Sequence, residues 1–381
     1  MTQSPRVPVN PKILDWAIEH GEKSRSELAQ KYPVDAWRNP DSHDNPTFKQ
    51  LQRFSQDTHI PFNYFFGTEV PREENTFVKF RTVNNASVQP SRRLIDTIHM
   101  MESRQAWMKD DLLNQNEHHR FGLLHQVNLK MSPTTVATTV LNLLTLSESL
   151  GTSMTDEDFF TLLRTKISAL GIMVMQNGIV GTNTHRPLDV TEFRAFVLID
   201  PVVPLIFINS ADSKKAKIFS LLHEFIHVLL GQSEVLNVAP DTALQNERWI
   251  NRVTINVLMP PTAVKASLAP KQPASANLKF LSRRFHTSLV ATAIQLKSMH
   301  LYDDRLIDWA EKEQDAGLKR KPKSTGGDFY NTALSRVDRR FANAVINHEA
   351  SGQLAVTSAA SMLGVSLKTY DATVDRILGL A

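Results

Sequence analysis

The sequence predicts an α+β chain in which a small sheet leads into one metal-binding helix, with helical modules on either side. Three observations carry this expectation. Residues 218–231, IFSLLHEFIHVLLG, place an H-E-x-x-H run on a helical apolar period. Four short β-rich runs between Gly171 and Asn209 come just before it, divided by turn residues. The two ends of the 381-residue chain read as helices.

Residues 10 to 70 carry a series of short helices. Pro11 to His20 contains Ile13, Leu14, Trp16 and Ala17. Ser24 to Lys31 follows, with Ser24 and Glu27 at capping-box spacing. After PVDAWRNPDSHDNPT comes Thr47 to Thr58, with Phe48, Leu51 and Phe54 as its apolar stripe, and IPFNYFFGTEVP closes the segment. A DNA reader lays side chains of a recognition helix in the major groove. Here the stretch from Tyr32 to Asn45 is short and broken by Pro33 and Pro40, and Asp35, Asp41 and Asp44 offset Arg38. Docking on protein is the expected role of this domain. The alternative is DNA contact, for which only Trp37 and Arg38 look able to reach a base or phosphate.

Residues 72 to 85, containing Phe77 to Thr82, read as an extended connector. Arg93 to Met108 then has a core stripe of Leu94, Ile95, Ile98 and Met101, and Leu141 to Leu150 and Asp156 to Leu170 are further amphipathic helices. His118, His119 and His125 fall near a loop and lack the four-residue spacing of helical ligands, so they are not read as a metal site.

In the strand region GIMVMQ and IVGTN flank Asn177-Gly178, a hairpin signal, while RAFVLID and PLIFIN flank the turn Pro201 to Pro204. A small, mainly antiparallel sheet is expected, and an edge strand of it can pair with an extended peptide. Glu192 and Arg194 are two apart on one side of a strand, spaced to pair with each other or to orient a metal-bound imidazole through its second nitrogen. His185 and Arg194 are the candidates for stabilising an oxyanion.

On a helix, His223 and His227 lie one above the other and can aim two nitrogens at one point. Zn²⁺ accepts neutral imidazole and prefers a tetrahedral shell. Glu224, one step round, can reach a water on the metal as a general base. Ile218, Leu222, Phe225 and Leu229 form the core stripe, Ser210, Asp212 or Ser213 can cap the start, and Gly231 is the expected stop. Strands followed by such a helix fit a zincin fold. A catalytic site needs a third protein ligand. Glu247, 20 positions after His227, sits in a second helix that Asp241 or Thr242 can cap and Pro260-Pro261 ends. It is either that ligand or a solvated carboxylate. Asn251, one turn on, can hydrogen-bond near the site.

The run EFRAFVLIDPVVPLIFINSADSKKAKIFSLLHEFIHVLLG, followed by ERWINRVTINVLMP, resembles the ImmA/IrrE family of bacterial metallopeptidases. Ala195 stands where that family typically has Gly. Ile250, Val253 and Thr254 replace Ala, Phe and Ala, while Glu247, Asn251 and Leu258-Met259-Pro260 keep the pattern. The replacements alter packing and leave the chemical groups. The resemblance implies Glu247 as third ligand of a zinc endopeptidase that cleaves a regulatory protein, commonly a helix-turn-helix repressor. Asn45-Pro46-Thr47 and Ile60 to Phe66 similarly resemble the small helix-turn-helix domain that precedes many members.

Past Pro261, residues 278 to 300 form a helix pair joined at His286-Thr287, resembling a helix-turn-helix-like unit late in the family's peptidase region. This gives domains at 1–85, 86–312 and 328–381, with EQDAGLKRKPKSTGG at 313–327 as a linker. SAASMLGVSLKTYDATVDRIL, in the last domain, has the helix–Gly turn–helix look of a DNA-binding or dimerising fold, and this domain resembles the C-terminal extension of longer family members.

Hydrophobic residues make up 41% and charged residues 22%, ordinary for a soluble globular protein. With no cysteine, disulfides, thiolate metal sites and cysteine catalysis are excluded. No long apolar run or secretory h-region stands out, so a cytoplasmic protein without membrane contact is expected. The net charge of +4 gives only a faint pull toward nucleic acid. Zn²⁺ is the expected metal, with Mn²⁺ or Fe²⁺ accepted by the same donors. The rival expectation is a transcriptional regulator or antitoxin-like binding protein with a structural or vestigial metal site.

Overall fold

Local punctuation sets the first helices. In the computed structural model, which describes residues 5–39, 44–71, 90–115, 120–232, 240–319 and 329–380, α1 (Pro11–His20) opens where the Asn10 side chain accepts the Lys12 N–H at 2.9 Å. The Ser24/Glu27 capping box starts α2 (Arg25–Lys31), and α3 (Val34–Arg38) follows Pro33. A second box, Thr47 with Gln50, starts α4 (Phe48–Thr58), and a 3₁₀ turn spans Phe62–Phe66. Their inner faces bury Ile13, Leu14, Leu28, Leu51, Phe54 and Phe65.

Trp37 belongs to this core. Its ring meets Tyr32 at 5.6 Å and stands edge-on to Phe54 at 5.8 Å. Arg38 pairs with Asp15 at 2.6 Å and Asp35 at 3.5 Å, and the Asp15 bond raises its pKa. The buried Trp37 ring is not placed to reach a base, as the DNA alternative to docking requires, whereas Arg38 keeps part of its side chain exposed. Residues 34–38 do form a helix, but a five-residue helix is anchored only by burying Val34 and Trp37, which turns its one large side chain inward.

The described residues form two compact units, one running to His99 and the other from Met100 onward. Helix α5 (Arg92–Asn114) contributes to both. The expected connector at Phe77 to Thr82, together with His118 and His119, lies outside the described residues.

In the larger unit α6 (Pro133–Leu143) and α7 (Asp156–Ala169) precede the strands, β1 (Met173–Asn177), β2 (Ile179–Val180), β3 (Asn183–Pro187), β4 (Ala195–Leu198) and β5 (Leu205–Asn209). The α+β class is as expected, but the strands make two sheets. The larger has order β1-β5-β4, with β1 parallel to β5 from Met173↔Leu205 to Asn177↔Asn209 and β4 antiparallel to β5. β2 and β3 form a separate antiparallel ribbon. Asn177-Gly178 therefore makes no hairpin between β1 and β2. Burial explains why: every residue of β5 is buried, as in a central strand, and the buried run of β1 completes it, whereas β3 is mostly exposed. Asn177 instead donates its side-chain amide to the Gly181 carbonyl at 2.8 Å and steers the chain into the ribbon.

Next come α8 (Lys214–Leu230), α9 (Pro240–Leu258), α10 (Pro261–Ser267), α11 (Ala274–Arg284), α12 (Leu289–Ser298) and α13 (Asp304–Lys319). Helix α13 runs into the stretch expected to be a linker. The C-terminal helices are α14 (Phe329–Arg336), α15 (Arg339–Ala350), α16 (Val356–Leu363) and α17 (Leu367–Leu378). They do not stand apart from the sheet. Asp338 accepts the Val174 N–H of edge strand β1 at 3.2 Å, and Arg164 donates to the Val174 carbonyl at 2.9 Å and the Ser335 carbonyl at 2.6 Å. One outer edge of the sheet is thus covered. Helix α8 packs across β4 and β5 on one side and against α7 and α9 on others.

Candidate metal centre

The Ser213 side chain caps α8, and Gly231 ends it in the left-handed region at φ 65°. The stripe of Ile218, Leu222, Phe225 and Leu229 is wholly buried, as its period requires. The adjacent face carries His223 and His227, only 3% and 5% exposed. Between them Glu224 is half-buried and meets solvent. The helix therefore sinks two imidazoles and leaves the carboxylate between them half-buried.

Helix α9 crosses α8 and brings in Glu247. Its Trp249 anchors it by donating to the Met131 carbonyl at 3.1 Å. Ile250, Val253 and Thr254 are buried, and the Thr254 hydroxyl donates to the Ile250 carbonyl at 2.9 Å. These positions are indeed packing positions. Glu247 Oε2 lies 3.3 Å from His223 Nε2 and Oε1 lies 3.3 Å from His227 Nε2, while the two Nε2 atoms are 3.2 Å apart. Burial opposes ionisation of Glu247, but hydrogen bonds from both histidines outweigh it and hold the carboxyl well below the usual carboxylate range.

Do these residues fit a divalent cation? A tetrahedron with bonds of about 2.0–2.1 Å has edges of roughly 3.3 Å. The three donor separations have that length. The donor set, two imidazoles and a carboxylate, is that of an open zinc site. The Nδ1 of His223 is buried and has no partner among the described residues. Two buried imidazoles facing one carboxylate are what a cation of this size would join.

The other residues singled out from sequence fall elsewhere. Asn251 is half-buried one turn beyond Glu247. Arg194 is exposed and pairs with Asp212 at 2.7 Å. Asp212 lies just before α8, and the helix runs nine residues, roughly 13 Å, from Lys214 to His223, so this pairing holds the guanidinium at the far end of α8. His185 is exposed on the β2–β3 ribbon, its backbone N–H donating to the Asn183 side chain at 3.0 Å. Neither is gathered with the histidines. One residue that spacing could not find does approach the helix: His125, whose ring lies on Gly231.

Residues 167–297 match the family model of the IrrE N-terminal-like domain, Peptidase_M78. The match spans the sheet, α8, α9 and most of α12. This stretch is similar to that peptidase family. No curated protein and no solved structure matches the chain.

Proposed function

We propose that the chain is a metal-dependent endopeptidase with its metal on His223, His227 and Glu247. The observation that carries this is the close cluster of two imidazole nitrogens, 3.2 Å apart, each 3.3 Å from one of the two Glu247 oxygens, beside the half-buried Glu224. A bound divalent ion, Zn²⁺ by donor preference and Mn²⁺ or Fe²⁺ by tolerance, would polarise a peptide carbonyl and acidify a water. Glu224 takes the proton of the attacking water and delivers it to the departing amine. Asn251 stands one turn along the Glu247 face, placed to steady that carboxylate.

A protein substrate fits the sheet. Asn209 N–H donates to the Arg194 carbonyl at 2.8 Å, so by antiparallel alternation Ala195 and Val197 turn their backbone groups away from β5. Among the described residues these outward groups have no partner. β4 is therefore the edge on which an extended peptide can add a strand beside α8. The resemblance to ImmA/IrrE proteins suggests a helix-turn-helix regulator as the protein cleaved.

The rival regulator reading rests on the helical ends and the mildly basic charge, and the buried Trp37 ring adds nothing to it. The test is a Glu224→Gln variant: it keeps its metal and loses turnover. A variant that still cleaves as wild type would take Glu224 out of the base role.

A further inference from the structure

Between Ile218 and Leu230, α8 buries every side chain but two, Phe219 and Glu224. The carboxylate has its role, and Phe219 has none so far. The other apolar residues of that stretch are wholly buried, apart from Leu230 at 4% exposure. Part of the Phe219 ring packs against the core and the rest meets solvent. Phe219 stands four residues before His223, on the same row of the helix. The two ring centroids are 6.3 Å apart, at a tilt of 31°. The row therefore runs from an apolar ring to the two imidazoles, Phe219, His223, His227. A half-exposed phenylalanine by itself is ordinary. One set beside a metal ligand lies where the substrate of that metal has to pass.

A peptide whose carbonyl meets the metal carries its neighbouring residues one Cα step, about 3.8 Å, to either side. A side chain on such a residue has the length to cover the outer part of the Phe219 ring. We propose that Phe219 is the wall of an apolar subsite beside the metal, so that the chain selects peptides with an aromatic or branched aliphatic side chain next to the scissile bond. The proposal rests on the peptidase reading and deepens it by naming the substrate class. An apolar residue laid on the ring removes two apolar surfaces from water at once. A charged or amide side chain in the same place gives up its water without gaining a partner from the ring. Strand addition on β4 agrees with this. A peptide paired there turns every second side chain toward the face of the sheet on which α8 packs.

The test uses the full chain loaded with Zn²⁺ and two hydroxamates, which hold to a metal by chelation. Acetohydroxamate carries only a methyl group, and phenylacetohydroxamate adds a phenyl ring. Wild type is expected to bind the phenyl compound about ten- to a hundredfold more tightly, the worth of burying an apolar side chain in part or in full. Phe219→Gln keeps methylenes against the core and puts an amide at the solvent end. It is expected to bring the ratio within about threefold, with zinc content and acetohydroxamate affinity unchanged. Phe219→Leu, smaller but apolar, lies between the two. Equal affinity of wild type for the two hydroxamates overturns the proposal, and so does a variant pair that keeps the wild-type ratio. Loss of zinc, or of both hydroxamates in parallel, in both variants would assign the ring to packing α8 and overturn it too. A wild-type protein that takes zinc but neither hydroxamate has a closed metal, which sinks the peptidase reading and this proposal with it.

Discussion

Two imidazoles and a carboxylate buried together are stable only when their lone pairs and charges are joined. His223, His227 and Glu247 meet that condition through one another, while Glu224 next to them stays accessible. His223→Ala is expected to lose both metal and turnover. Glu224→Gln is expected to keep metal at wild-type stoichiometry and lose turnover by about 10²–10⁴, the usual worth of a positioned base. Metal content by elemental analysis and a cleavage assay separate the two. A carboxylate of the first unit sets a pH limit. Burial raises the pKa of Asp57, but hydrogen bonds from Lys23, Tyr32 and Lys31 outweigh it and hold it below its ordinary 3.8. A depressed carboxylate stabilises fully above its unfolded value and loses this as pH falls through the folded one. Melting of this unit should stay level from about pH 7 to 5 and drop below about 4. Asp57→Asn should be less stable throughout and show a smaller acid drop; an identical acid profile would remove Asp57 as its source. The residues legible from sequence are those whose partners sit within one helical turn. His223, Glu224 and His227 follow from spacing alone, but Glu247 needs a tertiary crossing and was fixed by resemblance. His125 was unreadable because its contact is with a helix end a hundred residues away.

At the scale of elements, burial decided what turn signals did not. Asn177-Gly178 looks like a hairpin turn, yet β1 pairs with the wholly buried β5, and the signal serves to leave the sheet. The Pro201 to Pro204 turn did join neighbours, since β4 and β5 are both apolar and antiparallel. The two edges differ in consequence. Edge β1 is covered through Arg164, Asp338 and Gln176, the last donating to the Ser335 carbonyl at 2.9 Å. Burial pushes the Arg164 guanidinium down to about 10, so it remains charged at neutral pH. Arg164→Met should destabilise by roughly 3 kcal/mol, because the Val174, Ser335 and Val337 carbonyls lose their donor. Unchanged thermal unfolding would show that the C-terminal helices do not depend on this clamp. Among the described residues, β4 is the edge without a second neighbouring strand. Ala195→Pro removes an outward N–H and no bond to β5, so KM should rise with metal content intact. Unchanged kinetics would count against strand addition.

Across the whole molecule, three helical pairs look like helix-turn-helix units in sequence, and composition cannot separate those that read DNA from those that pack. Their buried and exposed residues bear on it. Trp37 is internal, most of the middle of α12 is buried, and α17 shows Lys368 beside Asp371 and Asp375. A low-salt gel shift is expected to show no more than the weak, salt-sensitive association of about 10⁻⁴–10⁻⁶ M typical of non-specific contact. Tight, sequence-specific retardation by the first unit would reverse that reading. No helix among the described residues is long and apolar enough to cross a membrane. The central claim concerns cleavage of another protein, and it is tested most directly by comparing protein N-termini in host cells expressing wild type or Glu224→Gln. The account predicts at least one new terminus, present only with wild type, in a helix-turn-helix regulator. Identical termini, with both proteins folded and metal-loaded, would contradict it.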